Sequence, residues 1–305
     1  MKKLLIAILV AVLVLVLLTP AALAKPDKDK PLPATDVELV KKVTLRGRPA
    51  GRGKPVKQAA TGVPGEELGT GAKKYAIVVG ISDYPGEAND LQYSDDDARD
   101  MSDPLTLYGY GPGNIRLLLH MDASVTAIRE AIDDIKSQAA AGDEVVFFFS
   151  GHGAKGKADD GDKEKIDEAI VSHDGNPSGS FVYIWDGELR EWFAGFNTTR
   201  IIFIFDSCLA GGMTDLKGTN RIINMACSER GVSYEGGSWQ NGQFTYFFVE
   251  QGMLWGQADR YDHDDNGILA EATDVVVEEA FDYAKANCRM QKPTISDSFN
   301  NDLLL

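Results

Sequence analysis

Three runs of apolar residues restrict what this chain can fold into more than any other feature. They are Tyr75-Ala76-Ile77-Val78-Val79-Gly80-Ile81, Glu144 to Phe149 and Arg200 to Phe205, and after a single opening residue none alternates polar with apolar. A strand with one wet face would alternate, so these runs suit strands covered on both sides, as in a parallel sheet. The stretches between them read as the covering helices: Asp95 to Tyr108, and a segment capped by Ser124 with Ala127, Ile128, Ala131, Ile132 and Ile135 on one side, closed by Gly142. Further strands are expected at Asn114 to Leu119 and Arg221 to Ala226, and further helices at Phe244 to Met253 and Glu278 to Asn287. Strand alternating with helix predicts an α/β fold with a mainly parallel sheet sandwiched by helices.

Groups that act on ligands in such sheets lie just past the carboxyl ends of the strands. One strand runs into Ser150-Gly151-His152-Gly153, and another into Asp206-Ser207-Cys208-Leu209-Ala210-Gly211-Gly212. If the two strands are neighbours, His152 and Cys208 emerge at the same edge. A thiol with an ordinary pKa of about 8.5 is only a few per cent ionised near neutrality. A histidine within reach can take its proton, stabilise the thiolate and later protonate a leaving amine. The backbone N–H groups of Gly153 and Cys208 are candidates to hold an oxyanion. His120, His173 and His263 lack a glycine-rich strand end, and His263 is expected to face solvent.

The sequence Phe-Phe-Phe-Ser150-Gly151-His152-Gly153, followed 56 residues later by Asp206-Ser207-Cys208, resembles the caspase and metacaspase family. The run Tyr75 to Ile81 and the segment Leu91-Gln-Tyr-Ser-Asp-Asp-Asp97-Ala98 look like the family's first strand and helix. The resemblance implies a caspase-like cysteine peptidase, and the Asp-Ser-Cys form looks like the metacaspase version rather than the Gln-Ala-Cys of animal caspases. Caspases hold a substrate aspartate through arginines, yet none stands near Cys208 or in 82–91. Asp206 lies two residues before the nucleophile, and by similarity Asp97 belongs to the same pocket. Two carboxylates facing one pocket call for a cation, so cleavage after Arg or Lys of peptide substrates is expected.

The ends of the chain differ from this body. Lys2 and Lys3, the apolar run Leu4 to Leu18 and Ala22-Leu23-Ala24 have the layout of a secretory signal at 1–24, with an uncleaved membrane anchor as the alternative. A secreted or extracytoplasmic protein follows, with no membrane partner after signal removal. Residues 25–74 are rich in Lys, Arg, Pro and Gly and read as a linker or a removable pro-segment too polar to order itself. If they block the cleft, Arg46, Arg48, Arg52, Lys54, Lys73 and Lys74 are candidate sites of self-cleavage. Of the formal charge of −15, this leader carries +6 and the signal +2, which leaves −23 for the catalytic region 75–305. Such a body repels nucleic acid and suits cations, basic peptides or its own leader. Three cysteines leave at least one thiol free, whether Cys227 and Cys288 pair or lie buried.

Calcium is the expected cofactor. Within a C-terminal region of about 255–305, Asp262-His263-Asp264-Asp265-Asn266-Gly267-Ile268 matches the first half of an EF-hand loop, with ligands at Asp262, Asp264, Asn266 and the Ile268 carbonyl. Thr273 occupies the position of the usual glutamate, so Glu271 or Asp274 would have to substitute. The metacaspase resemblance implies a second calcium site at Asp167, Asp186 and Asp215, with Gly187 where a further aspartate is expected. The segment Lys155 to Lys165 reads as a mobile solvated loop. Two other readings remain: a legumain- or clostripain-like peptidase with a different pocket, and a non-catalytic calcium-stabilised extracellular module.

Overall fold

The computed structural model describes residues 31–45, 57–63, 68–161, 164–176, 180–263, 265–269 and 276–305. The expected secretory signal at 1–24, Arg46 to Lys54, Asp264, Glu271, Thr273 and Asp274 lie outside them. Among the described residues no helix is long and apolar enough to cross a membrane.

The strands are β1 (Ala34–Val40), β2 (Val43–Leu45), β3 (Lys74–Gly80), β4 (Ile115–Leu119), β5 (Glu144–Ser150), β6 (Gly153–Ala158), β7 (Asp167–Asn176), β8 (Ser180–Trp185), β9 (Ile201–Asp206), β10 (Arg221–Met225), β11 (Tyr234–Gly236), β12 (Asn241–Gly242) and β13 (Thr294–Asp297). The helices are α1 (Ser94–Leu107), α2 (Val125–Gln138), α3 (Asp186–Trp192), α4 (Gln243–Thr245, which runs on as a π-helix over Tyr246–Leu254) and α5 (Val277–Asn287). The expected helix from Phe244 is therefore mostly of the wider i→i+5 form. Ser124 caps α2 as expected, its side chain accepting from the Ala127 N–H.

Six strands form the central sheet in the order β13-β10-β9-β5-β3-β4, all parallel except β13. Its residues alternate between two cores. Tyr75, Ile77, Val79, Phe147, Phe149, Phe203 and Phe205 pack toward Ile128 and Ile132 of α2 and Leu189 of α3. Ala76, Val78, Val146, Phe148, Ile202 and Ile204 pack toward Met101 of α1, Phe248 of the π-helix and Phe281 of α5. Two buried faces explain the unbroken apolar runs: neither alternate position meets water.

Two smaller sheets flank this frame and were not legible as strands. One is antiparallel, in the order β1-β6-β7-β8, and the other joins β12, β11 and β2. Both recruit the leader. β1 pairs antiparallel with β6, and β2 pairs parallel with β11. The Ala59 and Ala60 N–H groups bond the Asp282 carboxylate, and those of Thr61 and Gly62 bond Asp302. Residues 31–45 and 57–63, too polar for a core of their own, thus order by adding to edges and carboxylates that residues 75–305 supply. A second expectation also fails. Lys155 and Lys157 stand in β6, and Asp160 is only 7% exposed, so Lys155 to Lys165 is not simply a solvated loop.

Candidate active site

The register of β5 on β9 sets Ser150 directly beside Asp206, so both strands release their chains at the same level. Two residues on, His152 and Cys208 stand at one edge of the sheet, 1% exposed each. The two loops touch so closely that a Cβ at Gly153 would come within 2.1 Å of the Cys208 carbonyl oxygen. No other residue fits there without moving the Cys208 backbone.

The imidazole is fixed from three sides. Its Nε2 lies 2.8 Å from the Asn89 carbonyl oxygen, which can only accept, so Nε2 carries the proton and Nδ1 is the acceptor. The Tyr84 ring stacks on it with centroids 4.6 Å apart. The Tyr84 hydroxyl accepts from the His152 N–H and donates to the Val171 carbonyl. Burial, with Lys41 and Lys42 adding to it, drives the His152 pKa down to about 4 against the Asn89 bond. The Cys208 thiol accepts the Ser233 N–H at 3.2 Å, and burial pushes its pKa up to about 11. Both groups are neutral near pH 7, with no hydrogen bond between them.

Beside this pair lies a closed acidic pocket. Asp97, in the first turn of α1, and Asp206, at the tip of β9, are both fully buried. The Asp97 carboxylate accepts the Ser150 hydroxyl at 2.6 Å and the Gly242 N–H at 2.7 Å. The Asp206 carboxylate accepts the Thr245 N–H and hydroxyl at 3.0 and 2.8 Å, and the Ser233 hydroxyl. A Cβ at Gly242 would meet both acids, 2.3 Å from Asp206 Oδ2 and 2.9 Å from Asp97 Oδ2.

The cation that two such acids demand is Lys42 of the leader. Its Nζ lies 3.2 Å from Asp206, 3.4 Å from Asp97 and 2.8 Å from the Ser150 hydroxyl, with the side chain fully enclosed. Burial alone would lower the ammonium's pKa, yet Asp206, Asp97 and then Glu235 hold it above its ordinary value. Burial and Asp206 push the Asp97 carboxyl upward while Lys42 opposes them. The Lys42 N–H donates to His152 Nδ1 at 3.3 Å, and the next N–H, of Val43, donates to the Ser233 carbonyl at 3.0 Å. Lys41 turns outward to the Ala88 carbonyl and Asn89.

Sequence reasoning put Cys208, His152, Gly153, Asp97 and Asp206 in the site, and the fold brings all five together. It did not find Lys42, Tyr84, Asn89, Ser150, Ser233 or Glu235. Only Ser150 carried a signal, as the residue before the glycine-histidine turn. The others act through the backbone or from distant loops.

The acidic residues expected to hold calcium fall in two places. In one, the expected Asp186 meets two residues that were not expected, Glu168 and Glu164, with carboxylate oxygens within 4.8 Å of one another. Asp186 Oδ2 is buried with no hydrogen-bond partner, and burial followed by Asp215, Asp160 and Glu168 drives its pKa up to about 9. Glu168 is lifted to about 8 by burial and by Glu229, Glu164 and Asp167. Of the other two expected ligands, Asp167 accepts the Ala158 N–H, and Asp215 pairs with Arg190 at the border of this cluster. Asp160 bonds the Gly187 N–H and fills the space a side chain at 187 would need. An orphaned buried oxygen among acids fits a divalent cation. In the C-terminal loop, Asp262 accepts from the Asn266 and Gly267 N–H groups, and Asn266 accepts from Ile268. Gly267 takes φ 86°, the sharp turn expected of it. His263 does not face solvent: it is 4% exposed, against Tyr261 and the Asp302 carboxylate, because the chain's end folds over it. Cys227 and Cys288 are buried free thiols.

Residues 73–304 match the sequence profile of the caspase domain. The chain is 34% identical over 151 residues to metacaspase-4 of Arabidopsis thaliana, covering 47% of this chain and 34% of that protein. It is 31% identical over 160 residues to metacaspase-1 of Schizosaccharomyces pombe, covering 48% of this chain and 36% of that one. The chain thus spans about a third of the length of these curated relatives. A solved Geobacter sulfurreducens protein shares the fold, with a TM-score of 0.51, 18% identity and coverage of 73% of this chain and 92% of its own.

Proposed function

The chain belongs to the caspase-domain family, and from that premise we propose that it is a cysteine endopeptidase that cleaves after arginine or lysine and is made as a zymogen. The observation that carries this reading is a buried lysine ammonium held by Asp97, Asp206 and Ser150 one strand tip away from Cys208. A pocket that closes on one basic side chain accepts another, and an arginine can address the two carboxylates with a planar fork. Cys208 attacks the carbonyl of that residue, and His152, held by Asn89 and Tyr84, moves the proton from thiol to leaving amine. The N–H groups of Gly153 and Cys208 receive the oxyanion.

The leader fills the cleft, and removing it by self-cleavage starts activity. The segment at 1–24 directs the protein out of the cytoplasm. Calcium belongs at Asp186, Glu168 and Glu164, with Asp160 and Asp215 at its border. There it would offset the burial and the crowding of like charges that lift the Asp186 and Glu168 carboxyls. A Cβ at Gly212 would lie 2.1 Å from the Glu168 carboxylate, so the cluster and the nucleophile's turn are in contact.

Reporter peptides ending in Arg, Lys or Asp test the reading when given to the leader-released enzyme with calcium. Hydrolysis of the Arg and Lys reporters, abolished in Cys208→Ala, is the expected outcome. Faster hydrolysis of the Asp reporter would overturn the pocket assignment.

A further inference from the structure

Building on that reading of the cleft, we infer that the leader lies in it with reversed chain polarity, so that Lys42 blocks the pocket as an inhibitor whose following peptide bond the same molecule cannot cut. Cleavage after Lys42 has fixed directional needs. Cys208 Sγ must bond the Lys42 carbonyl carbon, the bond to Val43 N must break, and Val43 N must take its proton from His152. A productive chain therefore runs, from N- to C-terminus, from the Cys208 side of the cleft toward the imidazole.

Here it runs the other way. The nitrogen on His152 Nδ1 is that of Lys42 itself, on the far side of its own α-carbon from the bond to be cut. The would-be leaving nitrogen, of Val43, donates instead to the carbonyl of Ser233, whose own N–H touches Cys208 Sγ. The strands on each side agree. The residues before Lys42 pair with β6, which starts immediately after His152. The residues after it pair parallel with β11, in the register Val43 on Tyr234, Thr44 on Glu235 and Leu45 on Gly236. A substrate approaching its cleavage point along β11 toward Ser233 would be antiparallel to that strand. Thr44 further ties the segment down through its hydroxyl on Glu235, at 2.6 Å. The side chain satisfies the pocket while the backbone offers His152 the wrong nitrogen.

The full-length chain, Lys42→Ala and Lys42→Met are to be compared with calcium by three readouts: an Arg reporter, the rate of Cys208 alkylation by iodoacetamide, and N-termini by mass spectrometry. Expected is an increase of at least about tenfold in alkylation and reporter turnover in either variant with its leader intact. No parent chain starting at Val43 should accumulate, and trimming at other basic residues should accelerate with protein concentration. A Val43 terminus formed at a rate independent of concentration would overturn the reversed placement. So would unchanged alkylation in two folded variants, since the leader would then not occupy the cleft. Faster alkylation with no reporter hydrolysis would keep the leader's placement and reject the peptidase reading instead.

Discussion

With residues 31–45 in place neither Cys208 nor His152 is charged at neutral pH, the thiol being raised to about 11 and the imidazole lowered to about 4. For His152 the consequence for stability has a definite sign. The unfolded imidazole takes up a proton as pH falls through 6.5, whereas the folded one resists until about 4. Stability present above pH 6.5 is therefore lost on acidification, by about 2 kcal/mol between pH 7 and 5. Raised carboxyls such as Asp186 and Glu168 act in the opposite sense, gaining protons on folding, so the comparison must be made against a variant. Denaturant unfolding of His152→Gln should lack that 2 kcal/mol of acid sensitivity; an equal loss in both proteins would show that His152 is not the group responsible. Residue identity revealed this histidine and this cysteine because each interrupts an apolar strand with glycine. It could not reveal Asn89, whose contribution is a backbone carbonyl common to every residue, nor Lys42, one basic residue among twelve in the leader.

Among elements, the paired tips of β5 and β9 lead into His152 and Cys208, the proposed catalytic pair, and their closeness depends on Gly153. Alanine there would put a carbon 2.1 Å from the Cys208 carbonyl oxygen and 2.9 Å from its carbonyl carbon. Relieving that clash needs a backbone shift of roughly 1 Å, which costs about 1–3 kcal/mol of stability and about 100-fold in turnover. Gly153→Ala in the Lys42→Ala background should show both, by thermal unfolding and by kcat/KM on an Arg reporter. An unchanged kcat/KM would separate β6 from the nucleophile's geometry. The central strands were readable in advance because burial on two faces leaves an unbroken apolar record. β6, β7 and β8 were not, since Gly153-Ala-Lys-Gly-Lys-Ala158 has small and charged residues and gains its order from neighbours on either side. β1 and β2 were hidden for a related reason: their partners lie more than 100 residues away in the chain.

For the molecule as a whole, the uneven charge is the governing fact: an acidic body of −23 carries a leader of +6. Among the described residues, Asp186, Glu168 and Glu164 bring three of these acids together beside the turn that follows Cys208. Asp186→Asn removes one buried carboxyl from this crowd. It should raise the melting temperature in chelator by about 2–4 °C for each kcal/mol of strain relieved, and it should abolish the rise expected when calcium is added to the parent. An identical calcium shift in both proteins would move the cation elsewhere. The metacaspase resemblance pointed to Asp186, but Glu164 and Glu168 come together with it only through the β7 to α3 packing, which no local motif encodes. Under the proposed cleavage after arginine or lysine, the enclosed pair Asp97 and Asp206 has a corollary. Departure of a basic product would leave two buried acids without a counter-ion. Release would then be the uphill step, the products would compete with fresh substrate, and simple guanidines should lodge where they leave.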